Sequence, residues 1–399
     1  MDLSRKSKCI SPSPTLAVDA KAKQLKSEGH DVISFGAREP DFDTPDFIKF
    51  AAIEAINQGF TKYTPVDGIQ ELKKAISEAL REEIGVDYEA TQVIVSNGAK
   101  HCLFNALYCL CDEGDEVLIP SPYWVSYPEI VKLCGGTPVF VPTFESQDFK
   151  LKADNIKPLI NEKTKVLIIN SPNNPTGSVY TREDLLEIAE LALKYKIFVI
   201  SDEIYDKLVY DGEEHISIAS LGKEIYNNTL VVNGVSKAYS MTGWRIGYAA
   251  GPKELIKAMT DFQSHATSNP NSIAQKAALE ALKNPAKKQA VDTMVEEFAK
   301  RRKYMVERIN NIEGLSCRMP KGAFYVMMNV SKTFGKYIEG KVIKDSTTFA
   351  EALLEKYKVA VVPGIAFGAD EYVRLSYATS MKNIKEGLDR IEQFVRELS

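Results

Sequence analysis

The stretch NGVSKAYSMTGWRIGY, residues 233–248, follows the apolar run Leu230-Val231-Val232 and holds one lysine, Lys237, among small and hydroxyl residues. Arg245 comes eight positions later, beside Trp244, one of only two tryptophans in the chain. A cation enclosed by apolar chain is costly unless it is paired. The two cations are therefore either ordinary charges at a strand end or groups that serve a ligand needing an amine and a guanidinium.

Working outward, the run before Lys237 is one of six short β-branched runs: VIVSN (93–97), EVLIP (116–120), PVFVP (138–142), KVLIIN (165–170), IFVISD (197–202) and TLVVNG (229–234). Helical patterns lie between several of them. In 182–195, for example, Leu185, Ile188, Ala189 and Ala192 fall on one face. Runs buried on both faces and joined by helices predict an α/β fold with a largely parallel sheet. Ligands of such sheets gather at the carboxyl ends of the strands, where the polar residues of interest stand.

After about residue 285 the pattern changes. An amphipathic helix is predicted from Pro285 to near Asn310. Strands follow at 323–330, 359–363 and 372–378, with helices around 346–357 and from Lys382. This reads as a smaller α+β domain. The predicted division is a large domain over 46–285, with 1–45 and 286–399 forming an N-terminal arm and the small domain.

The chain's 399 residues, 44% of them hydrophobic, suffice for two cores. Fifty basic against 54 acidic residues, a net charge of -4, argue against nucleic acid. The N-terminus is basic, but no apolar segment follows as in a secretory signal. No apolar run reaches the roughly 18–20 residues of a membrane helix. The six cysteines (Cys9, Cys102, Cys109, Cys111, Cys134, Cys317) form no CxxC pair and the four histidines are dispersed, which disfavours metal chemistry. The chain reads as soluble, reduced and cytoplasmic.

Each strand end carries a polar signal with an ordinary alternative. SNGAK (96–100) precedes a helical pattern and suits an anion at a helix N-terminus, or plain capping. Asp202 ends an apolar run and is followed by Tyr205; a carboxylate there is a cap or a functional group. SPNNPTG (171–177), with Asn174, is a polar turn, and Trp124 could be packing. Together they match one cofactor. Pyridoxal phosphate needs a lysine amine for its aldehyde and an acid beside its pyridine nitrogen. It also needs a phosphate cradle, donors to its phenolic oxygen and an aromatic face on its ring. Lys237, Asp202, residues 96–100 with Arg245, Asn174 with Tyr205, and Trp124 fill these needs in turn.

The chain resembles the fold-type I, class I aminotransferases, and within them the aspartate aminotransferase subgroup Ib. The resemblance rests on EPDFDTP (39–45), KYTPVDGIQELKKAI (62–76), SNGAK, SPYWVSYPE (121–129), NSPNNPTG (170–177), SDEIYD (201–206), NGVSKAYSMTGWRIGY, PKGAFYV (320–326) and YVRLSYA (372–378), in order along nearly the whole chain. It implies a mostly parallel seven-stranded sheet flanked by helices, plus a smaller α+β domain. It also implies a pyridoxal-phosphate aminotransferase working by a ping-pong cycle on amino acids and 2-oxo acids, with aspartate and 2-oxoglutarate as the favoured substrates. Lys237 is implied as the Schiff-base lysine and proton carrier, and Asp202 as the partner of the pyridinium. Asn174 and Tyr205 would bind the phenolic oxygen and Trp124 would stack on the ring. Arg245, Ser236, Gly98, Ala99 and Lys100 would surround the phosphate. Tyr63 matches a tyrosine that reaches the neighbouring subunit's phosphate, which implies a homodimer with shared sites. Arg374 matches the clamp for the substrate α-carboxylate, a bidentate task that suits arginine. Lys100 and Thr15 match the pair that meets the distal carboxylate of aspartate.

One position departs. The family usually has glycine in the stretch that here reads FGAREPDF, where Arg38 stands in its place. Its backbone N–H would face the substrate, and its side chain adds a cation there. Readings that use prephenate or aromatic amino acids share these motifs. A pyridoxal-phosphate lyase of the same fold is disfavoured by Lys100. A DNA-binding regulator is disfavoured because EPDF begins by residue 39. A nicotinamide enzyme is disfavoured by the lack of GxGxxG after the first strand of the sheet.

Overall fold

The structure is a computed structural model that describes residues 2, 4–8, 10–12 and 14–399, with residues 5, 6 and 19 described by backbone alone. Cys9 lies outside these residues. Seven strands form the main sheet: β1 (Val93–Ser96), β2 (Glu116–Ser121), β3 (Thr137–Pro142), β4 (Thr164–Asn170), β5 (Phe198–Asp202), β6 (Thr229–Gly234) and β7 (Gly247–Ala250). Their order is β1-β7-β6-β5-β4-β2-β3. All neighbours are parallel except at β7, which is antiparallel to both β1 and β6.

The β-branched runs are buried on both faces because helices cover both. In β4, Val166 and Ile168 join one hydrophobic layer while Leu167 and Ile169 join the other. Leu230 and Val232 split from Val231 in the same way in β6. Each such side chain contributes about 1.5–3 kcal/mol on full burial. The run at 138–142 departs from this expectation. As β3 it is the sheet edge, with a neighbour on one side only, and Phe140 stays 43% exposed. The helix predicted at 182–195 spans Arg182–Tyr195 and buries all four residues of its apolar face. Thr181 caps it by accepting from the Asp184 N–H.

β7 was not among the six runs, since its sequence GYAA has no β-branched residue. Glycine is required where it starts and at the end of β6 beside it. A Cβ on Gly247 would sit 2.1 Å from the Ala99 nitrogen, and one on Gly234 would sit 2.9 Å from Gly247 Cα. The reversed direction of β7 matters for the site. Asn170, Asp202 and Val232 lie side by side across β4, β5 and β6, and Gly234 and Ser96 both pair with Gly247. β7 therefore starts at the edge where β6 stops, so the connection 235–246, with Lys237 and Arg245, turns back over the strand ends.

A second sheet is antiparallel throughout, in the order β10-β11-β9-β8, from β8 (Ser316–Cys317), β9 (Tyr325–Asn329), β10 (Val362–Pro363) and β11 (Tyr372–Ser376). The long helix runs Lys287–Asn310 and the final one Met381–Arg396, close to their predicted spans. In the arm, helix Pro14–Ser27 places Ala22 in a cluster with Leu354 and Ala360, and Ile33–Ser34 pairs in parallel with Val359–Ala360. Among the described residues no helix is long and apolar enough to cross a membrane.

Candidate active site

A cavity of about 610 Å³ opens at the carboxyl ends of β4 and β5, between the 235–246 connection and the second sheet. Lys237 is half-buried in its wall, and Nζ donates to the Arg38 carbonyl oxygen at 2.5 Å. Burial draws its pKa down to about 7. The positive charges of Arg38, Arg245 and Arg374 act in the same direction, and Glu39 opposes them. An amine neutral near pH 7 is a nucleophile and a base.

Asp202 is buried on the same wall. Oδ2 accepts the Tyr127 hydroxyl at 2.6 Å and Oδ1 accepts the Ile204 N–H at 3.3 Å. Burial pushes its pKa up to about 6, held back by those two donors. The bond from the Ile204 N–H holds the turn that follows β5, and the Tyr127 hydroxyl fixes the other oxygen. Asn170 supports the neighbourhood: its amide donates to the Asp202 carbonyl at 2.9 Å and accepts the Asn174 N–H at 2.9 Å. Asn174 Oδ1 accepts from Arg374 Nη1 at 2.9 Å, and the Tyr205 hydroxyl shares a hydrogen bond with that of Tyr325 at 3.1 Å. The polar turn read at 171–177 closes on the Asn173 side chain, which accepts from the Thr176 N–H and hydroxyl.

The anion cradle is built by close approach. Gly98, at φ 91°, opens helix Ala99–Leu110, and a Cβ there would lie 2.3 Å from Arg245 Nη2. The guanidinium is thus laid against the turn, donating to the carbonyls of Thr242 at 2.9 Å and Asn97 at 3.2 Å. Ser236, Ala99 and Lys100 face the cavity beside it. Gly98 stands just behind them. Ser96, counted in the cradle on sequence, is elsewhere. Its hydroxyl donates to Gln263 Oε1 at 2.6 Å in the fully buried layer beneath. Gln263 also accepts from Asn105 and donates to the Val66 and Val95 carbonyls, so it fixes the turn from behind.

Trp124 meets the Tyr127 ring edge-on, with centroids 5.2 Å apart. Lys100 Nζ lies 4.7 Å over the Trp124 ring; burial and the charges of Arg38 and Arg245 lower its pKa. Arg374 is buried in β11, its guanidinium carbon 4.2 Å from the centre of the Tyr325 ring and 4.8 Å from that of Phe367. Arg38 and Thr15 also line the cavity. Tyr63 does not: it is 91% exposed on the outer surface. Tyr127 was missed on sequence, although it sits three residues after Trp124, and a phenol near a buried carboxylate is the signal that could have found it.

The family described as aminotransferase class I and II matches residues 30–391. The aspartate aminotransferase of Bacillus subtilis is 48% identical over the full length of both chains. A probable aspartate/prephenate aminotransferase of Aquifex aeolicus is 49% identical over 98% of this chain and 97% of its own. Among solved structures, the aspartate aminotransferase from Rhizobium meliloti superposes with a TM-score of 0.97 at 45% identity, covering 100% of both chains.

Proposed function

This chain belongs to the aminotransferase class I and II family, whose members are pyridoxal-phosphate enzymes, and from that premise we propose that it moves the amino group between L-aspartate and 2-oxoglutarate. One observation carries the reading. An amine drawn to near-neutral pKa and a buried carboxylate face the same cavity at the strand ends. Pyridoxal phosphate, when bound, supplies an aldehyde for amines and a protonated ring that accepts the electron pair released at the substrate Cα.

The chain's own groups fit that cofactor. The guanidinium pressed on the glycine turn at Gly98 and the helix start at Ala99 make a site for phosphate, with Ser236 adding a hydroxyl. Asp202 offers a buried anion for the pyridinium, Asn174 and Tyr205 stand for the phenolic oxygen, and Trp124 offers a ring face. Lys237 Nζ takes the proton from the substrate Cα. Arg374, held by Asn174 and flanked by aromatic rings, binds the α-carboxylate. Lys100 and Thr15 bind the distal carboxylate. The oxo acid product leaves and a second oxo acid accepts the amine, which makes the cycle ping-pong.

A homodimer with Tyr63 reaching the partner's site is part of the proposal. Helix Asp46–Asn57 supports it by leaving Phe50, Ile53 and Ile56 each more than half exposed. The domain division at 45/46 and 285/286 is supported by the arm packing on helix Ser346–Tyr357 and strand Val359–Ala360, both within 286–399. A cytoplasmic location is supported by five free cysteines among the described residues. Prephenate is the second reading, favoured by the Aquifex aeolicus relative, since it also carries a carboxylate away from the reacting carbon.

Lys237→Ala tests the proposal. The variant should fold, as judged by circular dichroism, and lose at least about 10⁴-fold in kcat with aspartate. Transamination at the wild-type rate would remove the catalytic assignment.

A further inference from the structure

Tyr325 stands between two parts of the site that the two sheets supply separately. It opens β9 and pairs with Ser376 of β11, while Arg374 pairs with Met327. This register makes Tyr325 and Arg374 diagonal neighbours on one face of the second sheet. The Arg374 guanidinium carbon lies 4.2 Å from the centre of the Tyr325 ring, so the ring face supports the cation. Arg374 is thus held by Asn174 through a hydrogen bond and by Tyr325 through its ring.

The far end of the same side chain meets the main sheet. Tyr205 follows β5, and its hydroxyl lies 3.1 Å from that of Tyr325. The two rings meet edge-on, with centroids 6.0 Å apart and planes at 81°. Phe324 packs against both, with its ring centre 5.5 Å from that of Tyr205 and 4.6 Å from that of Tyr325. Both tyrosines are buried and both line the cavity. Packing therefore sets where the two hydroxyls meet.

Counting protons gives the shared bond a direction. Burial holds the Tyr205 phenol well above its ordinary pKa, so it stays neutral and has one proton to donate. When that proton goes to the phenolic oxygen of pyridoxal phosphate, the Tyr205 oxygen accepts from Tyr325. A hydroxyl that accepts one hydrogen bond is a stronger donor in the next.

We propose that Tyr325 is a positioning residue with two tasks: its ring holds the Arg374 guanidinium for the substrate α-carboxylate, and its hydroxyl donates to Tyr205, which in turn donates to the phenolic oxygen of the cofactor. The inference rests on the aminotransferase reading above and deepens it, by joining the substrate clamp and the cofactor's phenol donor through one side chain.

The test uses Tyr325→Phe, Tyr325→Leu, Tyr205→Phe and the double variant Tyr205→Phe/Tyr325→Phe, all loaded with pyridoxal phosphate. The absorbance of the lysine-bound cofactor is titrated with pH, with no amino acid present, and KM is measured with aspartate and with alanine. A donor on the phenolic oxygen draws off charge that otherwise holds the proton of the lysine linkage. A weaker donor therefore moves the titration midpoint to higher pH. Tyr325→Phe should raise the midpoint by about half a unit to one unit, the scale of one hydrogen bond. It should leave both KM values within about twofold, since the ring stays against Arg374. Tyr325→Leu should show the same shift and also raise KM about 2- to 30-fold, alike for aspartate and alanine, because both bring an α-carboxylate. The double variant should match Tyr205→Phe alone, because Tyr325 acts through Tyr205. An unmoved midpoint in Tyr325→Phe overturns the proposal, and so does a double variant that shifts by the sum of the single shifts. Tyr325→Leu with wild-type KM values overturns it as well. If wild type transaminates neither amino acid, the functional reading fails, while the midpoints, which need no substrate, still judge Tyr325.

Discussion

The floor and the rim of the cavity are built on different principles. At the floor, Asp202, Asn170 and Asn174 sit at or just past the ends of adjacent strands and are bonded to one another or to buried donors. At the rim, Thr15, Arg38 and Lys100 come from the arm helix, a joining segment and a helix start respectively. The floor is rigid by construction, because moving one group breaks a bond to the next. The rim takes its geometry from how separate segments dock. On the proposed function, the comparison assigns the chemistry, uniform across substrates, to the floor and the choice of substrate to the rim.

This contrast can be broken at the floor. Asp202→Asn removes the charge proposed to face the cofactor ring and should lower kcat about 100- to 1000-fold, the scale of a single electrostatic contact in an enclosed site. The loss should be alike for aspartate and alanine, since the cofactor is common to both. Tyr127→Phe removes one donor and should cost about fivefold, near 1 kcal/mol. It has a second signature. Without that donor the Asp202 carboxylate is less stabilised as the anion, so its pKa rises and the acid limb of the rate profile moves to higher pH. A rate–pH profile that does not move would place Tyr127 in packing alone.

The smallest effect concerns stability without cofactor. The Lys237 amine falls from an ordinary 10.5 to about 7 on folding. Between those values the unfolded chain binds more protons than the folded one, so stability rises with pH across that window and is lost as pH falls. Lys237→Met has no such term. The Tm of the cofactor-free variant minus that of cofactor-free wild type should be largest below pH 7 and shrink toward pH 10. A difference constant with pH would contradict the burial of the amine.

Much of the floor was legible in the chain. Apolar β-branched runs ending in Asp202, Asn170 and Gly234 mark buried strands, and chemistry placed just past them follows from the carboxyl-end rule. The rest was hidden for physical reasons. β7 is only Gly-Tyr-Ala-Ala, opening on a glycine that the Ala99 backbone touches, so it shows no run of β-branched residues. Ser96 bonds to Gln263 across 167 positions, a pairing no local pattern encodes. The exposure of β3 depends on its place at the sheet edge, which is a property of topology. At the rim, Thr15 and Arg38 could be named only through the family resemblance, since their approach to Lys100 is a matter of tertiary docking.

The most direct measurement of the central claim is a half-reaction. Purified protein loaded with pyridoxal phosphate is mixed with aspartate, with no oxo acid present, and both the cofactor absorbance and released oxaloacetate are followed. The account requires the band of the lysine-bound cofactor to disappear while oxaloacetate appears in equal amount to protein sites. A band that stays unchanged with aspartate and yields to a neutral or aromatic amino acid would contradict it, and would place the error at the rim.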